Sequence, residues 1–386
     1  TLKSSGAVFG EKLGWERANW FAERDEEPHD IYTFGQPNWH GAVAREHKAA
    51  RDAAVLFDQT SFAKYILTGP DAEQALQWIA ANRVDKPVGT IIYTQMLNDN
   101  GGIECDLTCV RTKHTEYYIT TGTGYATHDF DWIGRNIPSD LNVQLVDVTS
   151  SNAVLSLFGP KARDILELVT TGDVSNTVHP FGFARQIGIA GCSVLAMRIT
   201  YVGELGWELH LPVENAQTVY SALIEAGTPL GLRNAGYRAI ETLRLEKGYR
   251  AWSSDIGPDH TPDEAGLGWA VKMKSNISFK GRDAVARQRE EGIKKIMATF
   301  TTDSDIILSG RETIYRNGNR CGWLSSAGFG HTIGKFIGMG YVRGDEYIDT
   351  EFVLSGDYEL EVATERVKAN VFLKPLYDPK MEKIKT

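Results

Sequence analysis

The sequence is short of cysteine, of net positive charge and of long apolar runs, and each shortage removes a class of protein. Four cysteines in 386 residues (Cys105, Cys109, Cys192 and Cys321) do not make a disulfide framework, which points to a reducing compartment. Fifty acidic residues against 41 basic ones give a net charge of −9, so neither a nucleic-acid nor a membrane partner is expected. No stretch reaches the ~18 uninterrupted apolar residues of a transmembrane helix. No amino-terminal segment has the order of a signal peptide. The expected location is cytoplasmic, or the mitochondrial matrix in a eukaryote. The chain opens at Thr1 without Met, as a processed, truncated or excised chain does. There is no GxxxxGK(S/T) loop, no HExxH and no histidine pair at metal spacing, so no metal site is expected. Gly122-Thr123-Gly124-Tyr125-Ala126-Thr127 is half of a dinucleotide fingerprint without its third glycine, so no flavin or nicotinamide site is expected either. No internal repeat and no low-complexity tract is visible.

What remains is a chain long enough for two or three domains. Residues 1–30 form an aromatic arm, with Trp15, Trp20 and Phe21 ahead of the charged run Glu23 to Glu27. A segment of this kind packs along a neighbouring surface or joins two domains. Helical spacing predicts helices over 41–55, from Asp71, and over 234–249. Strands are predicted at 65–67, 91–94, 103–110, 117–121 and 155–158. Cys192 to Pro212 reads as a hairpin broken at Gly203-Glu204-Leu205-Gly206. The composition shifts at 285–295, and the short strands beyond it, with a turn at Asn317-Gly318, suggest a small barrel. A boundary near 290 is expected.

Four stretches carry chemistry. Asp106 follows a Gly-Gly turn and sits in a strand between Cys105 and Leu107. Burying an acid there is costly unless it is hydrogen-bonded or used, and burial tunes its pKa. The competing reading is an Asp that ties down the turn. In Gly206 to Pro212, strand alternation puts Trp207, Leu209 and Leu211 on one face and Glu208 and His210 on the other. Glu208 is then either a solvated outward residue or a pocket carboxylate able to accept two parallel N–H bonds. Arg238, Glu241 and Arg244 recur every three residues, as a surface ion ladder or as ligand contacts. The small-residue stretch Ser325 to Lys335 reads as a loop that either reaches a neighbouring site or only turns a barrel.

These stretches, in this order, resemble the folate-dependent aminomethyltransferase family, to which the T-protein of the glycine cleavage system belongs. The motifs are Gly101-Gly102-Ile103…Asp106-Leu107-Thr108, Tyr201-Val202-Gly203-Glu204-Leu205-Gly206-Trp207-Glu208-Leu209 and Leu243-Arg244-Leu245-Glu246-Lys247-Gly248-Tyr249. Pro262 to Trp269, Ser325 to Lys335, Gly338 to Val342 and Pro375 to Pro379 follow in register. The likeness is stronger still to the carboxy-terminal folate half of dimethylglycine and sarcosine dehydrogenases and oxidases, whose linking segment resembles Phe9 to Phe21. The resemblance implies an α+β fold, a three-lobed cloverleaf with a C-terminal β-barrel domain. It implies an arm at 1–30, a two-lobed folate-binding region at 31–290 and the barrel domain at 291–386.

It also implies roles. Asp106 matches the catalytic aspartate, and Glu208 matches the carboxylate that anchors the pterin of tetrahydrofolate. Tyr201, Tyr93 and Phe62 fall in the same pocket, and Trp269 lies near the folate's aryl portion. Arg238, Lys335 and Lys295 are candidates to meet the anionic glutamate tail. T-proteins carry arginine where this chain has Ile240, and a pocket asparagine where it has Gly122. Both departures favour the amine-dehydrogenase branch over a lipoyl-protein partner. The implied reaction is one-carbon transfer, methyl or methylene, from a methylated amine such as dimethylglycine or sarcosine to tetrahydrofolate, with or without a flavoprotein dehydrogenase subunit. A non-catalytic folate-binding or regulatory protein and a glycine-cleavage T-protein are the alternatives.

Overall fold

Strands buried along almost their whole length must be covered on both faces, and Asn152–Phe158 and Ala54–Asp58 are two such neighbours in a six-stranded sheet. The computed structural model describes residues 1–386. The sheet runs Ala184–Ile189, Cys192–Met197, Gly206–Pro212, Asn152–Phe158, Ala54–Asp58, Leu232–Asn234, antiparallel except for its last pair. Ala54 and Leu56 face Leu155, Leu157, Trp207 and Leu209 under the helices Ala162–Val169 and Ala216–Gly227. Val55, Phe57 and Phe158 point the other way, against the helices His40–Asp52 and Tyr237–Glu246.

The second sheet is wholly antiparallel, in the order Ile91–Leu97, Ile103–Lys113, Glu116–Thr121, Ala63–Thr68, Gln144–Asp147. Its outer face, with Cys105, Leu107, Cys109, Tyr117 and Ile119, packs under the helices Ala72–Ile79 and Ala126–Asn136. The strand–corner–helix unit at 63–79 recurs at 152–169. Gly69 (φ +140°) and Gly159 (φ +132°) both turn the chain where a Cβ would stand 2.4 Å from a carbonyl oxygen. Only glycine fits either corner. In sequence this repeat survives as two Gly-Pro pairs, too little to be read as one, so the expectation of no internal repeat is corrected. Asp71 precedes its helix as predicted but does not cap it; its carboxylate accepts the Asn142 N–H at 2.7 Å instead.

The chain ends in a closed six-stranded barrel: Ile293–Thr301, Lys335–Ile348, Asn319–Gly330, Thr313–Arg316, Tyr358–Val362 and Glu365–Phe372. Asn317 and Gly318 both have positive φ, as a two-residue hairpin turn requires. Ser325 to Gly330 belongs to a long strand, so only residues 331–334 form the expected loop. The architecture is the expected α+β fold with a C-terminal barrel.

Residues 7–21 form a hairpin whose Trp20 is fully buried against the Tyr237–Glu246 helix. Glu46 stitches it there, accepting N–H bonds from Phe21 at 2.7 Å and Gly236 at 2.9 Å. The Tyr237–Glu246 helix is the hub. Arg244, 1% exposed, pairs with Asp255 at 2.6 Å, with Glu241, and with the barrel's Ser326 at 2.8 Å. Glu246 pairs with Arg51 at 2.9 Å and accepts the Thr332 N–H at 2.7 Å. The ladder of Arg238, Glu241 and Arg244 is therefore not a surface feature at its Arg244 end.

Arg244→Met strands a buried Asp255 carboxylate without its cation. The expected cost is about 3–5 kcal/mol, read as a fall in the urea midpoint. Adding Asp255→Leu should recover part of it, because removing both charges abolishes the unpaired group.

Candidate functional site

In an antiparallel sheet, residues directly opposite each other share a face. Gln95 is opposite Asp106, Tyr93 opposite Thr108, Thr120 opposite Thr108 and Tyr118 opposite Val110. All of these lie on the inner face of the five-stranded sheet, away from its helices. On the six-stranded sheet Glu208 is opposite Met197 and Ser156, and Glu208 and His210 share a face, as alternation predicted. Val110 and Tyr118 pack against Ala184 and Met197, so the inner faces of the two sheets meet. Their edges are joined by backbone bonds, Ile91 N–H to Gly182 O at 2.9 Å and Ala184 N–H to Gly89 O at 2.7 Å.

Asp106 is the fourth residue of an eleven-residue strand rather than at its end, and it is half-buried. Gln95 Nε2 donates to its Oδ1 at 2.8 Å. Burial pushes the carboxyl up to about 6, with Asp129 adding to the rise, against hydrogen bonds from Tyr93 and Gln95 and the Arg250 charge. Burial and the Asp106 charge hold the Tyr93 phenol well above its ordinary value, so it stays protonated and donates. Tyr93 stacks on Trp269 with ring centres 5.6 Å apart, and Trp269 is 64% exposed. Tyr201 donates to Arg250 O at 2.9 Å, stacks on Tyr249 and lies within the field of Asp106.

Glu208 is buried, and its Oε2 is 3.5 Å from His210 Nε2. Three buried polar atoms on these facing surfaces lack a partner: Gln95 Oε1, Thr120 Oγ1 and His210 Nε2. Buried polar groups without partners are rare. Facing surfaces that bring together several of them, the Glu208 carboxyl group and the exposed Trp269 suit a polar heterocycle carrying an aryl arm. Tetrahydrofolate has that chemistry, and the residues present fit it.

The other predicted residues are placed differently. Arg238 donates to Asp30 at 2.7 Å and lies 3.7 Å over the Trp39 ring, so it secures the segment after the hairpin. Lys335 pairs with the exposed Asp303, while Lys295 donates to Asp259 O at 2.6 Å. Phe62 is half-buried in the turn beside Ser61, whose hydroxyl bonds Thr123 and Tyr237. Ile240 is a core residue, so no cation occupies that position.

Gln95, Arg250, His210 and Tyr118 were missed. Gln95 faces Asp106 only because a bulge between Met96 and Leu97 shifts the register by one residue, since the turn at 98–102 alone would set it opposite Cys105; the others depend on contacts between distant segments. The expectation of no metal spacing is qualified at one cluster, since Cys105, His128 and Asp129 each bring a ligand atom within 4.8 Å of the others. There Asp129 already accepts from Thr121 at 2.6 Å and meets His128 Nδ1 at 2.9 Å.

Because the folded pKa of Asp106 exceeds the unfolded ~3.9, its ionisation destabilises the native state. That penalty is absent below about pH 4 and grows as pH rises through about 6. Asp106→Asn should therefore raise the thermal midpoint by about 2–4 °C at pH 7.5 and not at pH 4. Tyr93→Phe, which removes a bond to the anion, should move the Asp106 titration seen by carboxyl NMR upward by about one pH unit.

Residues 1–275 match the GCVT N-terminal domain, and residues 295–378 match the glycine cleavage T-protein C-terminal barrel domain. Mitochondrial sarcosine dehydrogenase of Homo sapiens is 37% identical over 424 residues, covering 100% of this chain and 46% of that protein. The mitochondrial pyruvate dehydrogenase phosphatase regulatory subunit of Mus musculus is 32% identical over 393 residues, covering 97% of this chain and 45% of that one. The chain thus spans about half the length of these relatives. The crystal structure of glycine cleavage system aminomethyltransferase T from Bartonella henselae shares the fold, with a TM-score of 0.82 at 23% identity over 98% of this chain and 96% of that one. With both domains matched and the fold shared along almost its whole length, the chain belongs to the folate-dependent aminomethyltransferase family.

Proposed function

We propose that this chain transfers a one-carbon unit, methyl or methylene, from a methylated amine such as dimethylglycine or sarcosine to tetrahydrofolate. The observation that carries the reading is Asp106: a carboxylate raised to about 6 on the inner face of a sheet, held by Tyr93 and Gln95 and opposed by Arg250. Perturbed carboxylates in clefts are where acid–base and electrostatic work is done. Tetrahydrofolate supplies the nitrogen that takes the one-carbon unit. Glu208 accepts from the pterin's 2-amino and N3–H donors, Tyr201 and Phe62 line the ring pocket, and Trp269 carries the aryl portion. Lys335, at the barrel rim, meets the anionic tail by exchanging Asp303 for it, whereas Arg238 is committed to Asp30.

Asp106 acts on the cationic donor through its charge, or relays a proton at the folate nitrogen, with Tyr93 fixing the carboxylate. Direct methyl transfer needs no oxidant. Transfer at the methylene level needs the amine oxidised first, and a flavoprotein dehydrogenase, as subunit or fused half, is the partner of that variant. The regulatory-subunit relative favours a second reading, a folate-binding chain without turnover; a carboxylate poised as Asp106 is weighs against it.

Calorimetric titration of tetrahydrofolate should give micromolar-range binding that weakens at least about tenfold in Glu208→Ala. Asp106→Asn should keep that affinity and lose about 10²–10⁴-fold in kcat with dimethylglycine or sarcosine as donor. The wild-type rate should fall as pH drops through about 6, where the carboxylate takes up its proton, and this limb should vanish in the variant. Unchanged turnover in Asp106→Asn removes its catalytic role, and binding without turnover in the wild type selects the second reading.

A further inference from the structure

We propose that His210 is a positioning residue: clamped at Nδ1 by Tyr118 from the opposite sheet, it turns Nε2 to Glu208 and fixes the carboxylate that receives the pterin. The inference rests on the tetrahydrofolate reading above.

His210 is 3% exposed. Its Nδ1 lies 3.1 Å from the Tyr118 hydroxyl, with the rings at 90° and centres 5.4 Å apart. Burial and the Glu208 charge hold the Tyr118 phenol well above its ordinary value, so the hydroxyl keeps its proton and donates. A neutral imidazole that accepts at Nδ1 carries its proton at Nε2. That N–H is buried, has no hydrogen-bond partner and stands 3.5 Å from Glu208 Oε2. That separation is too long for a good hydrogen bond, and closing it by more than half an ångström would make a charge-assisted one.

A strand that needed only packing here would use an apolar residue, as it does at Trp207, Leu209 and Leu211, all buried on its other face. An unpaired donor in a buried position is costly unless something completes it. Because Tyr118 and His210 come from different sheets, the Glu208 carboxylate acquires its orientation only when the two lobes are docked.

The test is the tetrahydrofolate Kd, by calorimetry on the full chain, for His210→Leu, His210→Gln and Tyr118→Phe. Each is made in the wild-type and in the Glu208→Gln background, with circular dichroism and thermal unfolding to verify the fold. His210→Leu should weaken binding about tenfold. Glutamine, which still donates near the Nε2 position, should restore it to within roughly threefold, and Tyr118→Phe should cost roughly threefold. In the Glu208→Gln background His210→Leu should change Kd less than about twofold, since its effect runs through the carboxylate.

A folded His210→Leu with wild-type affinity overturns the proposal, and so does an equal loss in both backgrounds. If the leucine variant does not fold, Tyr118→Phe decides, and unchanged affinity there overturns it. Wild-type binding that is indifferent to Glu208→Gln, or no binding at all, overturns the tetrahydrofolate reading and this inference with it. Binding that depends on Glu208 and not on His210 sinks the inference alone.

Discussion

The buried pair of Arg244 and Asp255 is the constraint around which the lobes are arranged. Neither side chain has water, so each is tolerable only while the other is in place. Burial raises the Asp255 carboxyl, and the Arg244 charge with the Ser325 and Ser326 hydroxyls outweighs it, leaving the group ionised below its usual range. Both serines belong to the barrel, and the Tyr341 hydroxyl donates to Asp255 O at 3.0 Å. The hub helix, the loop after it and the barrel therefore share one charge network. Such a network is a weak source of net stability and a strong source of register, because no shifted docking satisfies both charges.

Two residues further along, Glu246 does similar work, set well below the usual range, to about 2, by His47 and Arg51 against the effect of burial. It ties the first helix, the hub and the barrel's 331–334 turn together. What this rigidity delivers is a fixed relation between the inner faces of two sheets. Those faces hold groups that a protein optimised for stability alone would not keep: a carboxylate raised by burial at Asp106, unpaired polar atoms on Gln95, Thr120 and His210, and an exposed Trp269 beside them. Local instability held by a rigid frame is the usual form of a binding or catalytic site.

Membership of this family sets the fold, and leaves the chemistry and its donor to the site. The relatives show why. One bears the name of a dehydrogenase and another that of a regulatory subunit, and both are matched along nearly the whole of this chain. Their lengths are about twice the portion matched, so what the rest of such a protein contributes is decided outside these residues. Inside them, the reading proposed above gives Asp106, with Tyr93 and Gln95, the task of separating turnover from binding.

The sequence by itself determined the elements and several of the actors. Apolar alternation put Trp207, Leu209 and Leu211 on the covered face and Glu208 with His210 on the other; a Gly-Gly turn and a strand marked Asp106; Asn317-Gly318 marked a barrel hairpin. These are local properties, with periods of two or of a turn, and a single segment carries them. The sequence could not say that Arg238 would be taken by Asp30, that Ser326 would accept from Arg244 and Ser325 donate to Asp255, or that Ser325 to Gly330 would be strand and not loop. Nor could it show that two Gly-Pro corners head the same folded unit. Those outcomes depend on which distant charges meet once water is excluded. Tertiary structure alone decided that Tyr118 would reach His210 across the lobes and that Arg250 would oppose Asp106, because electrostatic and hydrogen-bond partners are chosen by proximity in space and have no period in sequence.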